Sequence, residues 1–464
     1  MNNNSKKKNV YFVGIGGVGV SALARIYLAQ GYKVSGEDAA KSIVTDDLIS
    51  LGVAVEISRG NPANLKGVDL VIYSQALPKS HPVLEAAKKR KIKTLTYPQA
   101  LGLLTKTKPT ICVCGSHGKT TTTSLIGLSL LDAGCDPTIV VGSFLEQIMG
   151  NAKLGEGKYM VVEADEYRQA FLNLHPQIAV ITNIEYEHPD CYRNLAAVKE
   201  AFAKFIKRLP ADGIIIANYH DQNIKQVIKS FHGNIITYGF SKEADFWGVN
   251  YHLQSGHPVF EIINKGKSLG QVKLAVPGKH NALNALAAGA VMRQVGINFN
   301  SFSQTMANYK GAWRRFEKKA TCDGAVFYDD YAHHPTEIKA TLSAARDLFP
   351  KRKIIAIFQP HHQSRFHALY DEFLKCFENA DEIFVMDVYK VMGREEKKLP
   401  EKYSPNNFVK ALTEQKKKVY YTPRHQQVLA KLKEIIKKGD VVITLGAGDV
   451  NTVARKYYNF RHAT

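Results

Sequence analysis

Short apolar runs alternate with longer stretches of helical spacing along most of this chain, and the alternation predicts its architecture. VYFVGIG, from Val10, reads as a buried strand, and the segment from Val18 to about Gln30 reads as a helix. YKVSGED is a second strand and VDLVIYS, from Val68, a later one; the residues after His81-Pro82 turn helical again. This rhythm predicts a parallel sheet with covering helices. The polar stretch LTKTKPT, Leu104 to Thr110, breaks the pattern and closes on a proline, which predicts a boundary. A second strand–loop–helix unit follows in ICVCGSHGKTTTTSLIGLSLLDAG, with strands in YMVVEADE, QIAVITNIE and GIIIAN and a dense helix in KHNALNALAAGAVMRQVG. From near Arg314, GAVFYDD, KRKIIAIFQ, ADEIFVMDVY, KVYYT and DVVITLGAGD supply a third set of strands. The expected fold is α/β, with three tandem domains over residues 1–106, 107–313 and 314–464. The outer two are expected to be Rossmann-like and the middle one P-loop ATPase-like.

Composition narrows the class. At 464 residues the chain exceeds what one hydrophobic core supports, and 45% hydrophobic with 22% charged residues is ordinary for globular domains. No apolar run reaches the length of a membrane span. MNNNSKKKNV lacks the apolar region of a signal peptide, so Asn2 to Lys8 reads as a solvated tail. Six cysteines without a C-x-x-C pair do not form a disulfide scaffold, and Cys112 and Cys114 read as one face of a buried strand. A cytoplasmic protein is expected. The net charge of +20 would suit nucleic acid or polyanionic small molecules. Much of the excess, however, sits in KKLPEK from Lys397, EQKKKV from Glu414 and KLKEIIKKGD from Lys431. There Glu and apolar residues at helical spacing describe solvated helix faces. No aromatic-interleaved basic stripe or zinc-finger spacing appears, and no nucleic-acid partner is expected.

Two glycine loops carry the candidate chemistry. GSHGKTT, Gly115 to Thr121, lies between a strand and a helix. Gly115 and Gly118 let the backbone N–H groups of the loop, with Ser116 and His117, turn toward phosphate at a helix N-terminus. Lys119 would pair with the β- and γ-phosphates of a nucleoside triphosphate, and Thr120, followed by Thr121, would offer a hydroxyl to Mg²⁺. Val113 stands where the strict phosphate-loop pattern has glycine. Glu163 and His188, each after an apolar strand, are the further candidate metal ligands. Upstream, GIGGVG places Gly14, Gly16, Gly17 and Gly19 between strand and helix, with Glu37 and Asp38 ending the next strand. That spacing suits a nucleotide diphosphate whose ribose meets an acid. A nicotinamide-dependent dehydrogenase would leave GSHGKT unexplained, and a nucleic-acid-stimulated ATPase would leave GIGGVG without a task. The histidines at 333, 334, 361, 362 and 367 lack H-x-x-x-H or H-E-x-x-H spacing and do not predict zinc.

Taken in order, GIGGVGVSALA, VSGED, YSQALPKSHP, GSHGKTTTTSLI, EADEY, TNIEYEHPD, VPGKHNALNALAA, GAWRRFE, DDYAHHPTEI, QPHHQSRF and LGAGD resemble the Mur ligases nearly end to end. The likeness is greatest to the branch that adds the first amino acid to the peptidoglycan precursor. It implies that the N-terminal domain holds the UDP of UDP-N-acetylmuramate, the central domain holds ATP, and the third closes over both through a hinge near residues 310–316. L-alanine would be the amino acid joined. By position, Asn281 would contact adenine with His280 beside it, Arg315 the ATP phosphates and Asp330 the ATP ribose. Tyr331, His333 and Arg365 would line the sugar-carboxylate and amino-acid site. Lys119, His188, Arg315 and His333 would be central to catalysis. His362 stands where the family commonly has arginine, and Tyr167 in EADEY is shared with a relative that reattaches a recycled tripeptide. Oligomeric state is left open between monomer and weak dimer.

Overall fold

A computed structural model describes residues 8–390 and 400–462, so the tail before Lys8 and the start of KKLPEK lie outside the described residues. The chain packs into two compact units. One comprises the chain to Ile184 with Lys199–Tyr238 and Ala287–Phe302; the other comprises Glu185–Val198, Gly239–Leu286 and the chain from Ser303.

The first unit contains two sheets. The N-terminal one is five-stranded, in the order Ala54–Ile57, Lys33–Asp38, Asn9–Val13, Leu70–Tyr73, Lys93–Thr96, and parallel throughout. Val10 to Val13 are buried, as expected of a central strand covered on both faces. Strand order reverses beside Asn9–Val13, so GIGGVG emerges at the switch point where such sheets bind ligands. Helix Val18–Ala29 starts directly after it.

Seven strands form the second sheet of this unit, in the order Asn234–Gly239, Ile214–Asn218, Ile178–Ile181, Thr110–Cys114, Met160–Glu163, Thr138–Leu145, Gly150–Lys153. Only the last pair is antiparallel. Thr110–Cys114 is buried at every position, including Cys112 and Cys114, whose thiols burial pushes up. The two sheets are joined through helix Val18–Ala29. The Asn151 amide donates to the Val18 carbonyl (2.7 Å) and the Ser21 hydroxyl (3.0 Å), while Arg25 pairs with Asp47 and approaches the Met149 carbonyl.

The second unit has an antiparallel meander, Phe246–Gln254, His257–Asn264 and Lys267–Lys273. It also has a six-stranded sheet in the order Glu317–Cys322, Ala325–Asp330, Val441–Leu445, Ile354–Phe358, Glu382–Val385, Lys418–Tyr421. All neighbours in that sheet are parallel except the first pair. One face packs on a cluster in which Phe358 meets Phe373 and Phe377, and Phe366 meets Phe408; Val441 to Leu445 are wholly buried. The α/β architecture with three parallel-sheet domains is therefore present. No described helix is long and apolar enough to cross a membrane.

Candidate active site

Strand Thr110–Cys114 ends under the GSHGKT loop. Gly115 (φ 137°) and Gly118 (φ 80°) adopt conformations that favour glycine, and a Cβ on Gly115 would fall 2.0 Å from the Thr182 hydroxyl. The loop is pinned from the neighbouring strand end. Ser116 N–H donates to the Asn183 carbonyl (3.0 Å), His117 N–H to the Asn183 side chain (2.8 Å), and the Thr182 hydroxyl to the His117 carbonyl (2.6 Å). Gly118 caps helix Lys119–Asp132, whose first turn, with Thr120 and Thr121, is buried. The Lys119 ammonium donates to the carbonyls of Gly115 (2.6 Å) and Ser116 (3.1 Å) and pairs with Glu166 at 2.9 Å. Burial by itself would lower its pKa, but Glu166, Asp165 and Glu163 outweigh burial and raise it. Glu163 accepts from the Thr120 hydroxyl (3.1 Å) and from Gly142 N–H (2.7 Å). A hydroxyl and a carboxylate are hard oxygen donors of the kind magnesium takes, and the helix N-terminus beside them favours phosphate.

The GIGGVG loop is held differently. Gly14 and Ile15 N–H donate to the Glu37 carbonyl at 2.9 and 3.0 Å, and Gly16 N–H donates to the Asp38 carboxylate at 2.8 Å. Asp38, expected at a ribose, thus also braces the loop, and its other oxygen accepts from Ala40 N–H. The carboxylate of Glu37 turns inward, where it accepts from the hydroxyls of Ser58 (2.8 Å) and Tyr11 (3.2 Å) and from Asn61 N–H (3.1 Å). Gly19 lies against Tyr97, and a Cβ there would come within 2.6 Å of the ring.

In the second unit, strand Ala325–Asp330 delivers Asp330, Tyr331 and His333 to one place. Asp330 accepts from Phe316 N–H (2.9 Å) and Ala332 N–H (2.8 Å); burial, the largest influence, lifts its pKa to about 6 despite Arg315 nearby. Tyr331 lies beside two guanidiniums, Arg314 at 5.1 Å and Arg315 at 5.4 Å from its ring centre. Arg314 is buried against Asp329 (2.8 Å) and the Gly446 carbonyl (2.5 Å), whereas Arg315 is 30% exposed and 3.9 Å from Glu337. His333 donates from Nδ1 to the Tyr331 carbonyl (2.9 Å), with Nε2 turned toward Glu187 at 3.8 Å. Burial pushes its pKa down to about 4, so the imidazole is neutral at pH 7. Arg365 is buried and donates to Glu187 (2.7 Å) and the His361 carbonyl (3.2 Å). Glu187 is held well below the usual carboxylate range: its burial opposes this, but Arg365 and the adjacent histidines prevail. His280 is pushed down to about 4 by burial and then by Arg315. The Asn281 amide beside it donates to the Pro277 carbonyl (2.7 Å). His362 is buried with φ 67° and starts helix Gln363–Ala368.

The chain matches the Mur ligase family, catalytic domain, over residues 9–109, the Mur ligase middle domain over 113–292, and the Mur ligase, glutamate ligase domain over 314–448. It is 38% identical over 447 residues to UDP-N-acetylmuramate–L-alanine ligase of Aquifex aeolicus, covering 96% of each chain. The chain belongs to the Mur ligase family. As a Mur ligase it is an ATP-dependent enzyme that forms amide bonds. Its structure is similar to that of UDP-N-acetylmuramate–alanine ligase from Thermotoga maritima, with a TM-score of 0.83, 26% identity, and 98% of this chain and 99% of that one covered. A murein peptide ligase from Psychrobacter arcticus shares the fold, with a TM-score of 0.72, 22% identity and 97% and 98% coverage.

In this Mur ligase, Lys119, Thr120 and Glu163 stand together in the first unit, and Arg315, Asp330, Tyr331 and His333 in the second. His188 belongs to the second unit, at φ 56°, and its carbonyl accepts from Cys191 and Tyr192 N–H. Three carboxylates escaped the sequence reading: Glu166, Glu187 and Glu337. Each had a local signal. Glu166 is in EADE three residues past Glu163, Glu187 directly precedes His188, and Glu337 is the third residue of helix Pro335–Leu348. There Glu337 accepts from His333 N–H (3.0 Å) and His334 N–H (3.3 Å), a capping arrangement legible as H-P-T-E.

Proposed function

We propose that this Mur ligase joins L-alanine to the lactyl carboxylate of UDP-N-acetylmuramate, with ATP converted to ADP and phosphate. The carboxylate takes the γ-phosphoryl group to become an acyl phosphate. The alanine amine attacks its carbonyl carbon, and phosphate leaves from the tetrahedral intermediate as the amine gives up its proton. The observation that carries this reading is the unequal equipment of the two glycine loops: one is built round the half-buried Lys119, the other round Asp38. Similarity to UDP-N-acetylmuramate–L-alanine ligase over nearly the whole chain supports the choice of substrates.

No protein nucleophile is needed; positioning and charge neutralisation supply the rate, of which positioning can provide roughly 7 kcal/mol or more. Lys119 would exchange its loop carbonyls for β- and γ-phosphate oxygens while Glu166 keeps it charged. Ser116 to Gly118 and Thr121 would cradle the phosphates. Arg315, 30% exposed and beside the Tyr331 ring, would turn onto the same charge. Asn281 would face adenine and Asp330 the ribose. Gly14, Gly16, Gly17 and Gly19 would bind the UDP diphosphate. His333 and Arg365 would border the acceptor carboxylate and the amine. Thr120, Glu163 and His188 would hold Mg²⁺, which when bound spreads the negative charge of the transferring group. The domains would divide at 106/107 and 313/314, with closure of residues 314–464 about a hinge at 310–316 excluding water from the acyl phosphate. The enzyme would work in the cytoplasm, without nucleic acid.

Phosphate release should require UDP-N-acetylmuramate and L-alanine together. Release driven better by the tripeptide than by alanine would transfer the reading to the recycling reaction, and release stimulated by polynucleotide would remove it.

A further inference from the structure

Two adjoining cavities open on the first unit at the starts of strands Thr110–Cys114 and Ile178–Ile181, the ends opposite the GSHGKT loop. One, of about 510 Å³, is walled by the linker Thr105–Thr110 and by His175 to Gln177; the other, of about 480 Å³, reaches Lys93 and Gln99. Lys106, His175 and Arg208 line both. The combined walls carry Lys93, Lys106, Lys108 and Arg208 and not one aspartate or glutamate. Lys108 is committed, donating to the carbonyls of Gly155 (2.5 Å) and Gly157 (2.8 Å). Among the described residues, Lys93, Lys106 and Arg208 make no ion pair with a carboxylate. Arg208 instead lies 3.3 and 3.4 Å from the two ring nitrogens of His175.

Concentrated positive charge without a counter-charge is costly unless solvent or a ligand anion answers it. Burial, and after it the charges of Arg208 and Lys106, holds the His175 imidazole below its ordinary value. The backbone around the cleft is fixed in advance. His175 N–H donates to the Thr105 hydroxyl (3.1 Å), the Thr110 hydroxyl to the Thr105 carbonyl (3.2 Å), and Gln177 N–H to the Thr110 carbonyl (2.8 Å). Arginine offers a planar fork and lysine a point charge, the pair that phosphate groups commonly recruit. Lys106, His175 and Arg208 border both cavities, so a ligand with one phosphate group in each would meet all three side chains.

We propose that this cleft binds a compact oligophosphate of at least two phosphate groups, which bridges Lys106 and Arg208 and clamps the linker joining the five-stranded sheet to the phosphate-loop strand. The cleft shares no residue with either glycine loop, so the assignment does not depend on the chemistry given to them. A ligand there would stiffen the covalent joint between the sheet carrying GIGGVG and the sheet carrying GSHGKT, a position suited to regulation.

The test titrates inorganic tripolyphosphate into the full chain by calorimetry, with ADP and UDP saturating the glycine loops. One further site per chain is expected. Its affinity should fall at least tenfold in Lys106→Gln/Arg208→Gln, while affinities for ADP and UDP, which report a correct fold, stay within twofold. In the unaltered protein, the His175 imidazole titration followed by NMR should move to higher pH when tripolyphosphate is added. Absence of the extra site, its survival in the double variant, or an unmoved His175 would overturn the proposal. CTP binding within threefold of tripolyphosphate would support recognition of the phosphates themselves, and orthophosphate binding as tightly would overturn the bridging claim.

Discussion

The loops at Gly14–Gly19 and Gly115–Lys119 share a skeleton and differ in the charge beside it. Both follow a central parallel strand, both use a glycine at positive φ, and both open a helix. The first contains no lysine or arginine, and its N–H groups are arranged by a carbonyl and the Asp38 carboxylate. The second encloses an ammonium that three carboxylates keep protonated. A loop that only anchors a diphosphate can rely on oriented N–H groups and a helix terminus. One that must stabilise charge moving between two anions needs a fixed cation already in place before the reaction. On the proposed function, the difference in equipment would separate a handle from a reaction centre.

The largest expected effect tests that separation directly. Lys119→Ala should lower phosphate release by at least about 10³-fold, on the scale of a lost preorganised charge, while UDP-sugar affinity stays within about threefold. A parallel fall in UDP-sugar binding by calorimetry would merge the two cradles into one. The same substitution strands Glu166 in a buried site at a cost of about 3 kcal/mol in urea unfolding, and Lys119→Ala/Glu166→Gln should recover stability without activity. Glu163→Gln, which keeps an acceptor for Thr120 or Gly142 N–H but loses the charge, should lower turnover about 10²-fold and raise the Mg²⁺ needed for half-maximal rate. An unchanged Mg²⁺ requirement would remove Glu163 from the metal site.

Gly19→Ala should act on the other loop alone. Its methyl would meet Tyr97 at 2.6 Å, so UDP-sugar affinity should drop about tenfold with ADP binding unchanged. The smallest effect is with pH. Lys119 is raised above its ordinary value, so its charge persists until pH climbs through that raised value, and ADP affinity should vary by less than about twofold between pH 7 and 9. His333 works in the opposite sense. Its folded value of about 4 lies below the ordinary 6.5, so the unfolded chain binds more protons between the two and stability falls as pH drops through that window. His333→Gln should flatten that part of a urea-unfolding profile measured from pH 4 to 7.

Most strands were legible because buried parallel strands are continuous apolar runs: ICVC, QIAVI, KIIAIF and VVITL all lie where the pattern puts them. The meander at Phe246–Lys273 was not. Its strands alternate apolar with polar or charged residues, as in FWGVNYHLQ, and a half-covered antiparallel strand of that kind resembles an irregular polar segment when read singly. Edge strands such as Ala54–Ile57 and Lys93–Thr96 were hidden for the same reason, being largely exposed. Candidate site residues could be named where they fall within contiguous motifs. Their carboxylate partners were not, although Glu166, Glu187 and Glu337 lie within a few residues of positions that drew notice.

Local stereochemistry sufficed for the two glycine loops, their helices and the succession of α/β blocks, because positive φ, helix starts and buried strands are written in neighbouring residues. Which charge answers which was decided only on folding. Glu166 reaches Lys119 across 47 positions and Glu187 reaches Arg365 across 178, and Coulomb energy depends on distance in space, to which spacing along a chain is no guide.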